Sequence, residues 1–168
     1  TKRKPEEWYY GFVKRAIDIV CSGLGLIILS PVFLITAICI KAYDRGPVFY
    51  KQVRLTKGHK EFEIYKFRSM KVDTPDIPTH QLTNPEQYII KIGKFIRKTS
   101  IDELPQLFNI LFGSMSLVGP RPERTENVHE YTTEYPEFNL RHRVKCGLMG
   151  YAQVYGKYDT SRIDKLHM

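Results

Sequence analysis

From Ile19 to Ile40 the chain runs twenty-two residues without a charge, Ser30-Pro31 interrupts the run near its middle, and basic residues flank both ends. At ~1.5 Å per residue the run would reach ~33 Å as one straight helix, enough for a hydrocarbon core of ~30 Å. Pro31, however, has no backbone N–H, and its ring collides with the carbonyl of Ile27, so a sharp bend is expected there. The half before the break reaches only ~16 Å, about one leaflet.

The flanking charges bear on the choice between a span and a dip. Lys2, Arg3, Lys4, Lys14 and Arg15 precede the run, and Lys41, Arg45, Lys51, Arg54 and Lys57 follow it. The positive-inside tendency finds no asymmetry in this and favours both ends on the cytoplasmic side. That predicts a re-entrant helix-break-helix over 13–40, with a kinked span as the other reading. Ser30 is placed to bond back to the carbonyl of Leu26 or Ile27, relieving part of the polar cost of a bend in lipid. Trp8, Tyr9, Tyr10 and Phe12 stand just before the run, where interfacial aromatics sit. No small-residue cleavage site follows the run, which is also too long for a signal peptide.

The 168 residues suit one domain, and the 42% apolar content supplies a modest core once the membrane segment is set aside. A formal charge of +8 calls for an anionic partner: acidic headgroups, phosphorylated substrates or nucleic acid. Nucleic acid is the weak member, because the aromatics gather at the interface and do not interleave with a basic groove. Cys21 and Cys39 lie inside the apolar run and Cys146 stands alone, which leaves no disulfide framework or zinc site. His59, His80, His129, His142 and His167 show no metal spacing and read as surface histidines.

After the turn at Gly46-Pro47, V-F-Y-K-Q-V-R and E-F-E-I-Y-K-F-R-S-M read as the two strands of a hairpin around Lys57-Gly58-His59. Residues 72–87 are rich in Pro, Asp, Thr and Asn and read as a loop. Short helices are expected over 88–98 and 123–134, and the clearest helix over 100–112, ended by Gly113. The apolar side of that last helix, with Ile101, Leu104, Leu107, Phe108, Leu111 and Phe112, suits a protein core or the membrane interface.

Three stretches could carry chemistry. R-K-T-S-I-D-E-L-P, from Arg97 to Pro105, sets Asp102 and Glu103 side by side at a helix start. Unpaired N–H groups and the helix dipole there would keep a carboxylate ionised and suit phosphate or metal. Ser100 with Glu103 is equally a capping box, which needs no catalytic role. G-P-R-P holds Arg121 between prolines that reduce the entropy lost on ordering it, which suits bidentate phosphate binding or simply a rigid turn. R-H-R-V-K-C-G-L-M-G-Y-A-Q-V joins a basic cluster to a Gly-punctuated aromatic strand.

Taken in order, K-R-x-x-D, the apolar run with Ser-Pro, Y-K-F-R-S-M, R-K-T-S-I-D-E-L-P-Q-L-F-N-I-L, G-S-M-S-L-V-G-P-R-P and G-L-M-G-Y-A-Q-V-Y-G resemble the bacterial monotopic phosphoglycosyl transferases, from Val13 onward. These initiate surface-polysaccharide and glycoconjugate assembly. The resemblance implies an α+β fold: a re-entrant membrane helix-break-helix, interfacial amphipathic helices and a small β-hairpin or sheet. All of 1–168 would form one catalytic domain, with 41–168 as its cytoplasmic or interfacial part. It also implies transfer of a sugar-1-phosphate from a UDP-sugar to polyprenol phosphate with release of UMP, at the cytoplasmic leaflet of the bacterial inner membrane. Asp102 matches the nucleophile that forms a covalent phosphosugar intermediate, and Glu103 the residue that binds Mg²⁺. Arg97 and Arg121 match phosphate-contacting positions, Lys66 a basic functional position with Arg68 as its rival, and Gln153 a substrate contact. Ser30 and Pro31 match the membrane break.

Met149 and Tyr151 depart from the family's Thr and Trp in T-G-W-A-Q-V, which puts nucleotide or sugar contacts there in doubt. The chain begins without a methionine and ends at Met168, and family members continue further, so it reads as C-terminally incomplete. A homodimer would be compatible with such an enzyme. The competing class is a membrane-anchored, non-catalytic interaction module of the same machinery.

Overall fold

The computed structural model describes residues 5–75 and 83–150. The apolar run forms two helices, α1 (Pro5–Ile28) and α2 (Ser30–Asp44), which meet at Leu29 with a bend of 59°. Pro31 stands in the first turn of α2, where a missing N–H costs nothing. Ser30 Oγ donates to the Ile27 carbonyl at 2.8 Å, so the hydroxyl shields backbone at the break as its position suggested. Among the described residues no single helix is long and apolar enough to cross a membrane.

Burial in this pair runs opposite to that of a water-soluble surface helix. Asp18, Ser22 and Thr36 are buried, while Ile27, Ile28, Leu34 and Ile35 each expose more than 60% of their surface. The polar side chains of α1 find partners inward: Ser22 Oγ donates to the Asp18 carbonyl at 2.6 Å. The Asp18 carboxylate accepts from Ser116 Oγ at 3.1 Å and Leu117 N at 2.9 Å. Arg15 reaches the end of α4 (Gln106–Phe112), donating to the carbonyls of Ile110 and Leu111 at 2.6 and 2.7 Å. The Ile110 carbonyl also accepts from the capping Gly113 N–H at 3.0 Å, and a cation beside these last-turn carbonyls suits the helix dipole.

The hairpin's inner side continues the grip. Leu26 and Leu29 pack on a core of Ile64, Leu107, Ile110, Met115 and Cys146. Ile40, near the end of α2, is fully buried with Phe67, Ile90 and Ile96. Phe33 lies 5.2 Å from the Phe67 ring and 5.9 Å from Phe108, ring centre to ring centre. Both arms of the broken helix are therefore fastened to one body, and α4 lies beneath the break.

That body is α+β. Strands β1 (Phe49–Leu55) and β2 (Glu61–Phe67) pair antiparallel from Phe49↔Phe67 to Leu55↔Glu61, as expected from the sequence, around a turn in which Gly58 takes φ 69°. Helix α3 (Lys91–Lys98) follows, and α4 packs on β2 through Asn109, which is 3% exposed. Its Oδ1 accepts from Tyr65 N at 2.9 Å, and its Nδ2 donates to the Glu63 carbonyl at 2.7 Å. Strands β3 (Ser116–Val118) and β4 (Gly147–Met149) pair in parallel. A Cβ on Gly119 would strike the backbone at Lys145, and one on Gly147 would strike Gly119, so glycine is needed where the two strands leave each other. Helix α5 (Thr125–Glu134) sits on β1 through Leu55, Val128 and Phe138.

Two expectations are corrected. The helix over 100–112 is broken: Ser100 takes φ 57°, a 3-10 turn covers Ile101–Glu103, and Pro105 caps a separate α4. Its missing N–H and fixed φ place proline at a helix start, so α4 begins after it. Gly113, at φ 92°, ends α4 as expected. The capping box does not form either, since no side-chain cap bond comes from Ser100 in its left-handed conformation. The strand expected through Tyr151, and Gln153 beyond it, lie outside the described residues.

Candidate active site

The break at Ser100 decides where the two carboxylates point. In a continuous helix, Glu103 would turn back toward Ser100. In the 3-10 turn its Oε1 instead accepts from Lys66 Nζ at 2.8 Å and Arg121 NH2 at 2.9 Å. Lys66 comes from β2 and Arg121 from the G-P-R-P turn after β3, so three separate parts of the chain meet on one oxygen atom. Arg121 is positioned in turn from behind, because its carbonyl accepts from Arg141 NH2 at 2.8 Å. The Arg141 guanidinium lies 4.4 Å from the centre of the Phe138 ring.

The Asp102 carboxylate, next door, accepts from its own backbone N–H and takes no hydrogen bond or ion pair from another side chain among the described residues. The neighbours thus differ in electrostatics. Burial, the largest influence, raises the Asp102 carboxyl above its ordinary value; the Glu103 charge adds to this, while Lys66 and Arg97 oppose it without cancelling it. Burial alone would raise Glu103 too, but Lys66 and Arg121 outweigh it and hold that carboxyl below its ordinary value. The helix-start argument for an ionised pair is therefore corrected. The charge on Glu103 is held by two side-chain cations, and that on Asp102 is destabilised by burial.

The structure brings Asp102, Glu103, Lys66 and Arg121 together, with Arg97 near enough to act on Asp102. It separates Arg68 from them: that side chain is 5% exposed, packs beneath Gly46, and is not among the cations acting on either carboxyl. Alternation alone would put residues 66 and 68 on one face; the end of β2 at Phe67 separates them, since Lys66 is still within the strand while Arg68 lies past its end, under the turn. His142 is also corrected, from surface to 6% exposed, because the 3-10 helix Pro136–Arg143 turns it inward against His59. Sequence reasoning missed Asn109 as the tie between the hairpin and α4, and Arg141 as the support of Arg121. Neither has a local signal, since their partners are 44 and 20 residues away.

The arrangement offers an unpaired carboxylate beside a cation-held one, with basic side chains on several sides. It suits attack on, and charge neutralisation of, a phosphate ester.

Comparison with known proteins gives a consistent result. The family model described as bacterial sugar transferase matches residues 9–168. A UDP-glucose:undecaprenyl-phosphate glucose-1-phosphate transferase of Klebsiella pneumoniae is 43% identical over 154 residues, 91% of this chain and 33% of that protein. A UDP-N-acetylgalactosamine-undecaprenyl-phosphate N-acetylgalactosaminephosphotransferase of Aeromonas hydrophila is 41% identical over 162 residues, 94% of this chain and 38% of its own length. An exopolysaccharide production protein of Rhizobium leguminosarum bv. phaseoli is 40% identical over 148 residues, 86% of this chain and 74% of that protein. The chain thus spans 33% and 38% of the length of the first two relatives.

Proposed function

The chain belongs to the bacterial sugar transferase family, and from that premise we propose that it transfers a sugar-1-phosphate from a UDP-sugar to polyprenol phosphate, with Asp102 as nucleophile. A carboxylate oxygen of Asp102 attacks the sugar-bearing phosphorus of the donor. The bond to the bridging oxygen breaks, and UMP leaves with that oxygen. The phosphate oxygen of polyprenol phosphate then attacks the same phosphorus and displaces Asp102, giving the polyprenol diphosphate sugar and the free carboxylate. Two displacements on one side chain imply ping-pong kinetics.

The observation that carries this reading is the contrast between the neighbours. Lys66 and Arg121 occupy Glu103, whereas Asp102 is left without a side-chain partner among the described residues and its charge is destabilised by burial. A carboxylate so placed accepts from its own backbone N–H and keeps its remaining lone pairs for a substrate. Arg97, Lys66 and Arg121 would take the charge of the diphosphate.

The donor set fits magnesium only in part. Among the described residues no group of three or more metal-ligating side chains exists, but Mg²⁺ is commonly held by one or two carboxylates together with substrate phosphates. Glu103 Oε2, with Asp102 beside it, would supply that hard-oxygen contact, while Oε1 stays with Lys66 and Arg121. The ion would offset charge on the diphosphate and the leaving UMP. Because two cations already neutralise Glu103, the ion should arrive with the donor.

The same reading places the broken helix as a dip into one leaflet from the cytoplasmic side. It is supported by the 59° bend, the exposed apolar outer face, and the fastening of both arms to one body at Asp18 and at Ile40. Leu29, at the break, packs on the core that includes Leu107 and Ile110 of α4, and Phe33, just after it, packs on Phe108. That contact would keep the carboxylates near headgroup depth, where a lipid phosphate arrives.

The decisive experiment is mass measurement of the full-length protein after incubation with UDP-sugars and no acceptor. A sugar-phosphate adduct on Asp102, released by polyprenol phosphate, is expected. Full turnover by Asp102→Asn would end the assignment.

A further inference from the structure

The G-P-R-P turn carries Arg121 to Glu103, yet its two prolines leave it few N–H groups by which to be held. It is held through its carbonyls. Gly147 N donates to the Pro120 carbonyl at 2.9 Å, and Leu55 N to that of Glu123 at 3.3 Å. Between these, the Arg121 carbonyl accepts from Arg141 NH2 at 2.8 Å, and Arg54 NH1 approaches that of Pro122 at 3.5 Å. The two middle anchors are thus side-chain cations, one from β1 and one from the 3-10 helix Pro136–Arg143. Burial disfavours both charges and lowers both pKa values; Glu123 is the leading charge that opposes this at each, while Arg124 and Arg121 add repulsion at Arg54. Glu123 is itself 8% exposed, and a carboxylate that deep persists only beside cations.

We propose that Glu123 is a positioning residue for the transfer: its buried charge keeps Arg54 and Arg141 together beneath the G-P-R-P turn and so aims Arg121 at the diphosphate of the donor. This rests on the reading above in which Arg121 takes up charge of that diphosphate, and it adds the group that sets where Arg121 stands. Glu123 acts through the two arginines and not on the reacting atoms. A guanidinium cannot shed its proton to escape repulsion. Without the Glu123 charge, Arg54 and Arg141 relieve it only by moving apart toward water, and the Arg121 carbonyl then loses its 2.8 Å donor. A shift of about 1 Å at a group that contacts substrate is enough to slow a reaction by ~10²-fold.

The test is a double-mutant cycle on the rate of Asp102 adduct formation, in the full-length protein in nanodiscs below every variant's unfolding transition. The donor is saturating UDP-glucose or UDP-N-acetylgalactosamine, whichever forms the adduct. Arg121→Met should slow the step by ~10²-fold. Glu123→Gln, which keeps the shape and removes the charge, should slow it about tenfold or more in the otherwise wild-type chain, but less than about twofold in Arg121→Met, where no guanidinium remains to be aimed. Glu123→Asp, which keeps the charge, should stay within about threefold of wild type. Arg141→Met should repeat the Glu123→Gln pattern and carries the cycle should that variant not fold. Equal slowing in both backgrounds would overturn the positioning role and leave the donor reading intact. So would Glu123→Asp as slow as Glu123→Gln, or variants that lose thermal stability at an unchanged rate, the result expected of a merely structural carboxylate. Wild type that forms no adduct would overturn the donor reading and the positioning role with it.

Discussion

Asn109→Asp exchanges one side-chain atom at the joint between α4 and the β1–β2 hairpin. In the wild type, Tyr65 N–H and the Glu63 carbonyl fix the amide's orientation, since only the oxygen can accept and only the nitrogen can donate. Aspartate keeps the acceptor but sets a second oxygen against the Glu63 carbonyl, where the amide nitrogen stood at 2.7 Å. Protonated, that oxygen donates and the joint survives; ionised, it leaves a carbonyl unsatisfied and a charge buried at a position 3% exposed.

A carboxyl so placed should hold its proton to about pH 6.5, against about 3.9 in the unfolded chain. Its folded-state pKa is raised, so the stability is present below the unfolded value and is lost as pH rises through the folded one. Each pH unit between the two costs about 1.4 kcal/mol, which gives a loss of about 1.5 kcal/mol at pH 5 and about 3.5 kcal/mol at pH 7.5. The apparent unfolding temperature in nanodiscs should therefore fall about 4–8 °C further below wild type at pH 7.5 than at pH 5. Activity should follow, because Lys66 directly succeeds Tyr65 and leaves Glu103 when the hairpin lets go. Asn109→Leu, which has no proton to regain, should be destabilised equally at both values. If Asn109→Asp matched wild type at pH 7.5, or its deficit ignored pH, the joint would not be as described.

Three further outcomes are expected. Asp102→Asn should abolish turnover and raise the unfolding temperature at pH 7.5, because the raised Asp102 pKa means that the fold disfavours the charge that Asn removes; an unchanged or lower temperature would contradict this. Glu103→Gln leaves Lys66 and Arg121 on a neutral oxygen and should cost about 2 kcal/mol, mostly at Lys66, since Arg121 is 45% exposed and its share is screened. Because the Glu103 pKa is depressed, that contribution should be present above about pH 4.5 and disappear as pH falls through the lower folded value, so the variant and wild type should converge in acid. Arg15→Met removes both side-chain donors at the end of α4 and should cost about 2 kcal/mol of stability, read by thermal unfolding, with Asp102 adduct formation kept below the transition.

Much of the framework was legible locally. The bend at Ser30-Pro31 follows from a proline that cannot continue a helix, and the hairpin follows from alternation around Gly58. Asp102, Glu103, Lys66 and Arg121 were each singled out from motifs, yet the motifs left Lys66 and Arg68 undecided. The Lys66–Glu103 contact spans 37 residues and the Arg121–Glu103 contact 18, so no local window contains either. The break at Ser100 has a local part, since Pro105 starts α4 after it, and a distant one, since Lys66 and Arg121 hold Glu103. A capping box competes with long-range ion pairs, and the pairs win only once β2 and the G-P-R-P turn are folded against it.

By itself, then, the sequence determined what covalent chemistry and short-range sterics dictate: an uncharged run that cannot face water, a proline break in it, and two adjacent carboxylates. Tertiary structure decided which carboxylate is held and which is left without a side-chain partner, that both arms of the apolar hairpin grip one body, and that His142 is buried. Those outcomes depend on charges, burial and donors supplied by residues distant along the chain, and such a field exists only after the chain has closed around it.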